Sequence, residues 1–252
     1  MHTPIRQIAI FILTCAGFAW FPGVEALAQR HDRLIAGSSP GITGKVLGKV
    51  FLSGDYKKPV ALKVFKSQSY CGVRVPNETL MVAGDGAVRN TVVTLRPLQS
   101  IAVVKPGSIV LDNSHCAFVP HIQVATLDSE VILKNSDRIL HTVHARMGQE
   151  TLFNVGLPRW RQVVKRLEHT GVVKIDCDVL HTWMSAAIVV VSTPYYSVTD
   201  ENGFFSIDGL PTGTYEMETW HEKLGTKTTR ISIEGNSEIS LDIVYASRRK
   251  LP

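Results

Sequence analysis

Short runs of alternating apolar and polar residues recur along the chain, and Gly, Pro or Asn residues separate them. The runs in the first half are residues 45–52, 60–65, 91–95, 108–111, 122–125 and 130–134. Two later runs, 171–175 and 186–191, are rich in β-branched residues. No stretch shows a sustained helical period with capping residues. Turn signals at this close spacing predict an all-β protein, either a sandwich or a barrel.

The pattern changes after about residue 193. Asn202-Gly203 lies between two alternating runs and predicts a β-hairpin, because both residues tolerate positive φ. A second turn over residues 210–215 leads into a predicted strand at 215–221, and runs 228–233 and 239–244 follow. About fifty residues are few for an independent sandwich. We therefore expect this segment to borrow strands from residues 44–65.

The N-terminal residues have the pattern of an export signal. Residues 8–21 form an apolar run that is too short to span a bilayer comfortably, and Ala26-Leu27-Ala28 gives the small-x-small pattern of a cleavage site. We predict a signal peptide at 1–28 and a periplasmic or otherwise exported protein; a retained membrane anchor is the alternative. No later run is long and apolar enough to cross a membrane, so we expect no membrane span after cleavage.

Cysteine usage points to a metal ligand. Cys15 is removed with the signal peptide, which leaves Cys71, Cys116 and Cys177 in a compartment that favours disulfides. With an odd number, one thiol is left over. We expect a Cys71–Cys116 disulfide and a metal-binding Cys177, although spacing alone leaves the other pairings open.

Residues 176–184 (sequence DCDVLHTWM) carry Cys177, His181 and Met184 between two predicted strands. A thiolate and a thioether favour copper, and two imidazoles complete a trigonal site with a weak axial Met. The second imidazole is His141 or His144, which point to opposite faces of an extended strand. We favour His141. The sequence therefore predicts a mononuclear type 1 copper site.

Several motifs together resemble the cupredoxin (plastocyanin/amicyanin-like) family: FVPHI at 118–122, NSD at 135–137, HTV at 141–143, and Cys177, His181 and Met184 in that order. The resemblance implies a Greek-key β-sandwich that binds one copper ion. The implied ligands are His141, Cys177, His181 and Met184. The implied supporting residues around them are Asn135, Thr142, His144 and Trp183.

Two positions depart from the amicyanin-like pattern. Three residues separate Cys177 from His181 where that pattern has two, and Thr142 stands where the resemblance leads us to expect Asn. In the family this Asn helps to tie the two ligand loops together. The resemblance therefore implies a looser tie at Thr142.

The C-terminal sequence VTDENGFFSI followed by LPTGTY resembles the carboxypeptidase regulatory-like, transthyretin-type β-sandwich. Exported bacterial proteins of the methylamine-utilisation type are similar in joining both features. The predicted organisation is a cupredoxin-like Greek-key sandwich plus a smaller regulatory-like one. Its segments are a signal peptide (1–28), a flexible lead-in (29–43), an N-terminal β segment (44–97), the copper domain (98–192), the regulatory-like domain (193–246) and a basic tail (247–252).

These observations predict a carrier of single electrons and not an enzyme. The expected partner is a redox protein such as a c-type cytochrome or a dehydrogenase, and the net charge of +5 suits an acidic one. We expect no nucleic-acid partner. The family's C-terminal ligand His lies near the surface, which implies electron exchange near His181. The alternatives are copper trafficking without electron transfer, and a structural protein with a degenerate copper site.

Overall fold

The computed structural model describes residues 43–247, whose regular secondary structure is almost entirely β. The predicted signal peptide, the lead-in up to residue 42 and the tail from residue 248 lie outside the described residues. The strands, in chain order, are β1 (Thr43–Ser53), β2 (Leu62–Lys63), β3 (Arg74–Val75), β4 (Val92–Pro97), β5 (Ser108–Ser114), β6 (Ala117–Val119), β7 (Ile122–Thr126), β8 (Glu130–Asn135), β9 (His141–Met147), β10 (Glu150–Leu157), β11 (Gln162–Arg166), β12 (Gly171–Asp176), β13 (Ser185–Val191), β14 (Tyr196–Val198), β15 (Phe204–Pro211), β16 (Gly213–His221), β17 (Gly225–Ile233), β18 (Glu238–Ser240) and β19 (Ile243–Ala246). The prediction of an all-β fold is confirmed.

One short helix, α1 (Gln68–Cys71), occurs among the described residues. It has a single turn. Within residues 43–247 no helix has the length and hydropathy that a bilayer span requires.

The first sandwich contains the middle of the chain. One of its sheets has the strand order β10-β9-β12-β13-β7, and the other has the order β11-β8-β5-β6. Two strand pairs are parallel, β7 with β13 and β5 with β8, so the chain crosses between strands that are distant in sequence. Apolar side chains from both sheets fill the space between them, including Leu111, Phe118, Leu133, Ile175 and Ile188.

The second sandwich combines the two ends of the described chain. One sheet has the order β14-β4-β16-β17, and in the other β1 pairs with β15, β18 and β19. Strands from before residue 98 and after residue 193 are therefore neighbours in both sheets. Its core includes Val50, Leu95, Phe205, Tyr215 and Met217.

A third apolar layer joins the two sandwiches. Val124, Ala187 and Val189 on one side meet Val92 and the half-buried Trp220 on the other. Strand β13 is consequently buried on both faces, which explains why residues 186–191 are continuously apolar instead of alternating.

The predicted hairpin at Asn202-Gly203 is wrong. The tight turn is present: Gly203 has φ +68°, and the Asp200 carboxylate accepts the backbone N–H groups of Asn202 and Phe204. The flanking strands do not pair with each other, because β14 pairs with β4 while β15 pairs with β1 in the opposite sheet. The turn carries the chain from one sheet to the other.

The strand predicted at 239–244 is two strands, β18 and β19, both parallel to β1. The chain between them presses against β1, so that a Cβ placed on Gly48 would lie 1.7 Å from the Leu241 carbonyl oxygen. Gly48 is the residue that permits this approach. The strand predicted at 60–65 is also shorter, with Leu62 and Lys63 alone in β2.

Candidate metal centre

Three neighbouring strands bring the predicted ligands to one edge of the first sandwich. His141 is the first residue of β9, and Cys177 directly follows β12. His181 and Met184 lie in the loop between β12 and β13. Because β12 pairs with both β9 and β13, the end of β12 and the start of β9 are side by side.

His141, Cys177 and His181 are all buried, and their donor atoms form a triangle. The two histidine Nδ1 atoms are 3.1 Å apart, and the Cys177 Sγ lies 4.0 Å from that of His141 and 3.8 Å from that of His181. The centre of this triangle is about 2.1 Å from each corner, close to the ~2.0–2.3 Å bonds of imidazole nitrogen and thiolate sulfur to a first-row metal ion. Within residues 43–247 this is the one cluster of three or more His, Cys, Asp or Glu side chains that could hold a metal ion.

A buried carboxylate orients His141. Asp137 Oδ2 lies 3.0 Å from His141 Nε2, so this ring nitrogen carries the proton and Nδ1 faces the triangle. A carboxylate in this position fixes the tautomer and raises the basicity of a ligand imidazole. Asp137 was absent from the predicted site, although it precedes His141 by only four residues.

Asn135 shapes the turn that presents Asp137. Its buried side-chain amide donates to the carbonyls of Ile139 and Leu157 at 2.8 and 2.7 Å, and its Oδ1 accepts the Asp137 N–H at 3.0 Å. All these partners belong to the backbone. Asn135 thus supports the site through the chain around it, without contacting the triangle.

Thr142 links the two ligand loops. Its backbone N–H points to Cys177 Sγ at 3.4 Å, and its hydroxyl accepts the Asp178 N–H at 2.7 Å while lying 3.7 Å from the same sulfur. The looser tie implied by Thr in place of Asn is therefore not observed. A hydroxyl makes the cross-loop bond here.

The surroundings of two of the three donors, Cys177 and His181, shift their pKa values in the direction that suits metal binding. Burial raises the pKa of Cys177, but the hydrogen bonds from His141 and from backbone N–H groups outweigh it and lower the pKa overall. Burial, together with the charges of His141 and Lys66, lowers the pKa of His181 to about 4, so this ring is neutral at neutral pH. A thiolate and a neutral imidazole are the forms that coordinate metal.

His141 differs, because its partners are anionic. Burial lowers its pKa, and the contacts with Asp137 and Cys177 more than compensate, so the pKa is raised. In the metal-free chain, the contact between Cys177 and His141 therefore favours the thiolate and the imidazolium together, since it lowers the pKa of the thiol and raises that of the ring.

The remaining predicted residues lie around the triangle. Met184 is buried in the core of the first sandwich, and its N–H donates to the His181 carbonyl at 2.9 Å. Trp183 is buried with its ring centroid 5.0 Å from that of His181. His144 is outside the triangle: its ring nitrogens contact Thr151 at 2.9 Å and Asp178 at 2.9 Å.

His181 is not at the surface, contrary to the expectation. It is 2% exposed, and Ser67 Oγ lies 3.4 Å from its Nε2. Ser67 precedes α1, which Cys71 joins to Cys116 through a disulfide. This cover comes from a segment more than a hundred residues away in sequence, and no local signal indicated it.

Comparisons with known proteins add partial structural likenesses. No protein-family model and no curated protein matches the sequence. A purple cupredoxin from Nitrosopumilus maritimus matches with 20% identity and a TM-score of 0.30, over 34% of this chain and 99% of that one. The reduced state of an amicyanin mutant matches with 20% identity and a TM-score of 0.30, over 39% of this chain and 98% of that one. The copper-containing nitrite reductase NirK from Thermus scotoductus SA-01 matches with 17% identity and a TM-score of 0.31, over 38% and 25%.

Proposed function

We propose that the protein is an exported type 1 copper protein that carries single electrons between redox partners. The triangle of His141, Cys177 and His181 donor atoms is the observation that supports it most. Two imidazoles and one thiolate in a trigonal arrangement are the donor set of blue-copper sites. Met184, which is buried and adjoins the loop of His181, would complete the set of residues that hold the ion.

Copper bound at this site would supply one-electron exchange between Cu(II) and Cu(I). The protein's part is to hold the donors still, since a fixed geometry limits rearrangement between the two oxidation states. Asp137 and Thr142 restrain His141 and Cys177 through hydrogen bonds, and β9 and β12 restrain them through the sheet. Core side chains exclude water from the thiolate side.

The experiment is copper loading of the protein with optical and EPR spectra, beside a Cys177→Ser variant. We expect an intense thiolate-to-copper charge-transfer band in the wild type and none in the variant. A wild-type protein that binds Cu(II) without this band would refute the type 1 assignment.

A second candidate, copper trafficking without electron transfer, draws support from the burial of His181 under Ser67. A shielded ligand slows exchange of electrons with a partner but suits the holding of an ion. A protein that stays colourless, binds Cu(I) tightly and does not cycle would favour this candidate. The likeness of the C-terminal segment to regulatory-like sandwiches remains a prediction, and we propose an interaction or structural role for it.

A further inference from the structure

Residues 62–75, which we call the cap, lie on the first sandwich without belonging to its sheets. Among the described strands, β2 and β3 pair with each other alone. Helix α1 between them buries none of its own residues. Val64 and Val75, one in each arm, do enter the core of the first sandwich. The two ends of the cap are therefore anchored in the core. Its tip, which is Ser67 and α1, has little apolar contact of its own.

The tip of the cap closes the metal centre on the side of His181. Ser67 approaches His181 Nε2, and the Tyr70 hydroxyl donates to Asp137 Oδ1 at 3.2 Å while accepting the Arg138 N–H at 3.3 Å. Beside the covered ligand, Leu180 is 62% exposed. Removal of the tip would therefore expose His181 and the triangle behind it.

The Cys71–Cys116 disulfide attaches the tip to the metal centre. The Cys116 N–H donates to Asp137 Oδ2 at 2.9 Å, and Asp137 is the partner of His141. The Cys116 carbonyl accepts the indole N–H of Trp183 at 3.0 Å, and the Trp183 ring lies beside His181. Cys116 is buried, and Cys71 is half-buried. Cys71 is the more exposed half of the disulfide, so we expect an incoming thiolate to attack there.

On the Cys116 side the disulfide is attached to a tight turn. His115 and Cys116, with φ values of 54° and 58°, are the two central residues of the turn between β5 and β6, whose flanking residues Ser114 and Ala117 pair. The backbone N–H groups of both turn residues donate to the Asp137 carboxylate, at 2.8 and 2.9 Å. We therefore expect this turn to persist after reduction, so that the cap is the part that moves.

We propose that Cys71–Cys116 is a thiol–disulfide exchange site whose reduction releases the cap and opens the metal centre for loading or release of the ion. The reductant is a dithiol. One of its thiolates attacks the Cys71 sulfur and displaces the Cys116 thiolate, and its second thiol then resolves the mixed disulfide. Two electrons and two protons pass from the dithiol to the pair, which ends as two thiols, while the dithiol becomes a disulfide.

This inference rests on the proposed metal site, but its test needs no copper. The buried thiol of Cys177, 4% exposed, reports access to the centre. The metal-free full chain is treated with a neutral maleimide, and labelling is assigned to Cys177 by peptide mass spectrometry, which separates it from Cys15. The chains compared are the wild type, the wild type reduced with dithiothreitol and then desalted without oxygen, because free dithiothreitol consumes maleimide, and the Cys71→Ser/Cys116→Ser variant.

We expect Cys177 labelling to be at least about tenfold faster in the reduced chain and in the double variant. The increase should persist with little change as urea is raised below the unfolding transition, because local opening exposes little surface. Equal rates overturn the proposal. A labelling rate that rises with urea in parallel with global unfolding also overturns the proposal, and so does a double variant that does not fold. In both cases the disulfide stabilises the whole protein and not the cap alone.

Tyr70→Phe is the matched control, since it removes two hydrogen bonds of the tip and leaves the disulfide intact. We expect about a fivefold increase or less, because two partly exposed hydrogen bonds, at the lower end of the usual range, together contribute about 1 kcal/mol. The two hypotheses fail separately. If the protein is blue with copper but Cys177 labelling is unchanged by reduction, the proposed function stands and the exchange role of the disulfide is refuted. If the chain binds no copper, the labelling rates still test whether reduction releases the cap.

Discussion

The two sandwiches bury different kinds of polar group. The first buries a carboxylate, imidazoles and a thiol in one cluster around His141. The second buries several threonine hydroxyls and one imidazole, His221, without gathering ionisable groups into a cluster. Thr199 accepts the Thr91 N–H and donates to the Val88 carbonyl, and Thr193 donates to that of Leu95. A neutral hydroxyl satisfies backbone groups at small cost, whereas buried ionisable groups are costly unless they serve a ligand or a partner. The difference is consistent with the proposed metal site in the first sandwich, and it indicates a packing role for the second.

The largest expected effect tests the packing role of the second sandwich. Phe205→Ala should lower the free energy of unfolding by about 3–5 kcal/mol, because it removes a fully buried ring. Copper affinity of the folded protein should not change. Urea unfolding and a copper competition titration measure the two quantities, with Phe205→Leu as the smaller truncation. A parallel loss of copper affinity would show that the sandwiches are not separable in this way.

Part of this division could be predicted from the sequence. The thiol, imidazole and thioether lie within eight residues of one another, so a local pattern contained most of the donor set. Ser67 could not be predicted as a neighbour of the ligands, because the cap brings it from more than a hundred residues away in sequence. Asp137 is only four residues from His141, but no local pattern indicates the turn that brings its carboxylate to His141 Nε2. The β-sheet class followed from alternation and turn residues.

Pairing partners and edge strands were harder to predict. A turn sequence such as Asn202-Gly203 specifies a reversal of the chain but not which strands pair, and here the flanking strands entered different sheets. Strands β10 and β11, the outermost strands of their sheets, were missed. Strand β11 has no buried residue, so the apolar alternation that indicates a strand is weak there. Strand β10 does alternate, since Phe153, Val155 and Leu157 pack against the core, and it could have been predicted.

The next effect tests whether the buried cluster serves the metal. Asp137→Asn removes the negative charge beside His141 Nε2 and should lower copper affinity by about 10–100-fold. The matched control is Asp178→Asn, since Asp178 is also next to a ligand but is half-exposed and contacts His144 and Asn154. Competition with a copper chelator measures both. Equal losses in the two variants would mean that general charge, not the orientation of His141, sets the affinity.

A smaller effect is expected for the cross-loop bond. Thr142→Val keeps the branched shape and the backbone N–H to Cys177 Sγ but leaves the Asp178 N–H without its acceptor. We expect a loss of about 1 kcal/mol in the free energy of unfolding of the metal-free protein, measured in urea. Thr142→Ser retains the hydroxyl and should lose less. If the serine variant is the less stable one, the methyl group and not the hydroxyl contributes the stability.

The smallest effect concerns the contact between the sandwiches, where His121 is hydrogen-bonded to Glu222 and to the Ser185 carbonyl. Burial lowers the pKa of His121, but Glu222, Glu78 and the carbonyl raise it above 6.5 overall. The folded state therefore binds this proton more tightly than the unfolded chain. The resulting stability is fully present below pH 6.5 and is lost as pH rises through the raised pKa.

Glu222→Gln should remove this contribution, by less than about 1 kcal/mol because Glu222 is partly exposed to solvent. The nearby His221 has its pKa lowered to about 4, mainly by burial, so it destabilises both chains as pH falls below 6.5. Glu222 also raises the pKa of His221, so Glu222→Gln lowers that pKa further and adds to the loss of stability at low pH. Urea unfolding at about pH 5.5 and 8.5 should show a stability difference between the two chains at the lower pH that shrinks at the higher one. A difference that instead grows with pH would mean that His121 is neutral in the fold and that the apolar layer alone joins the sandwiches.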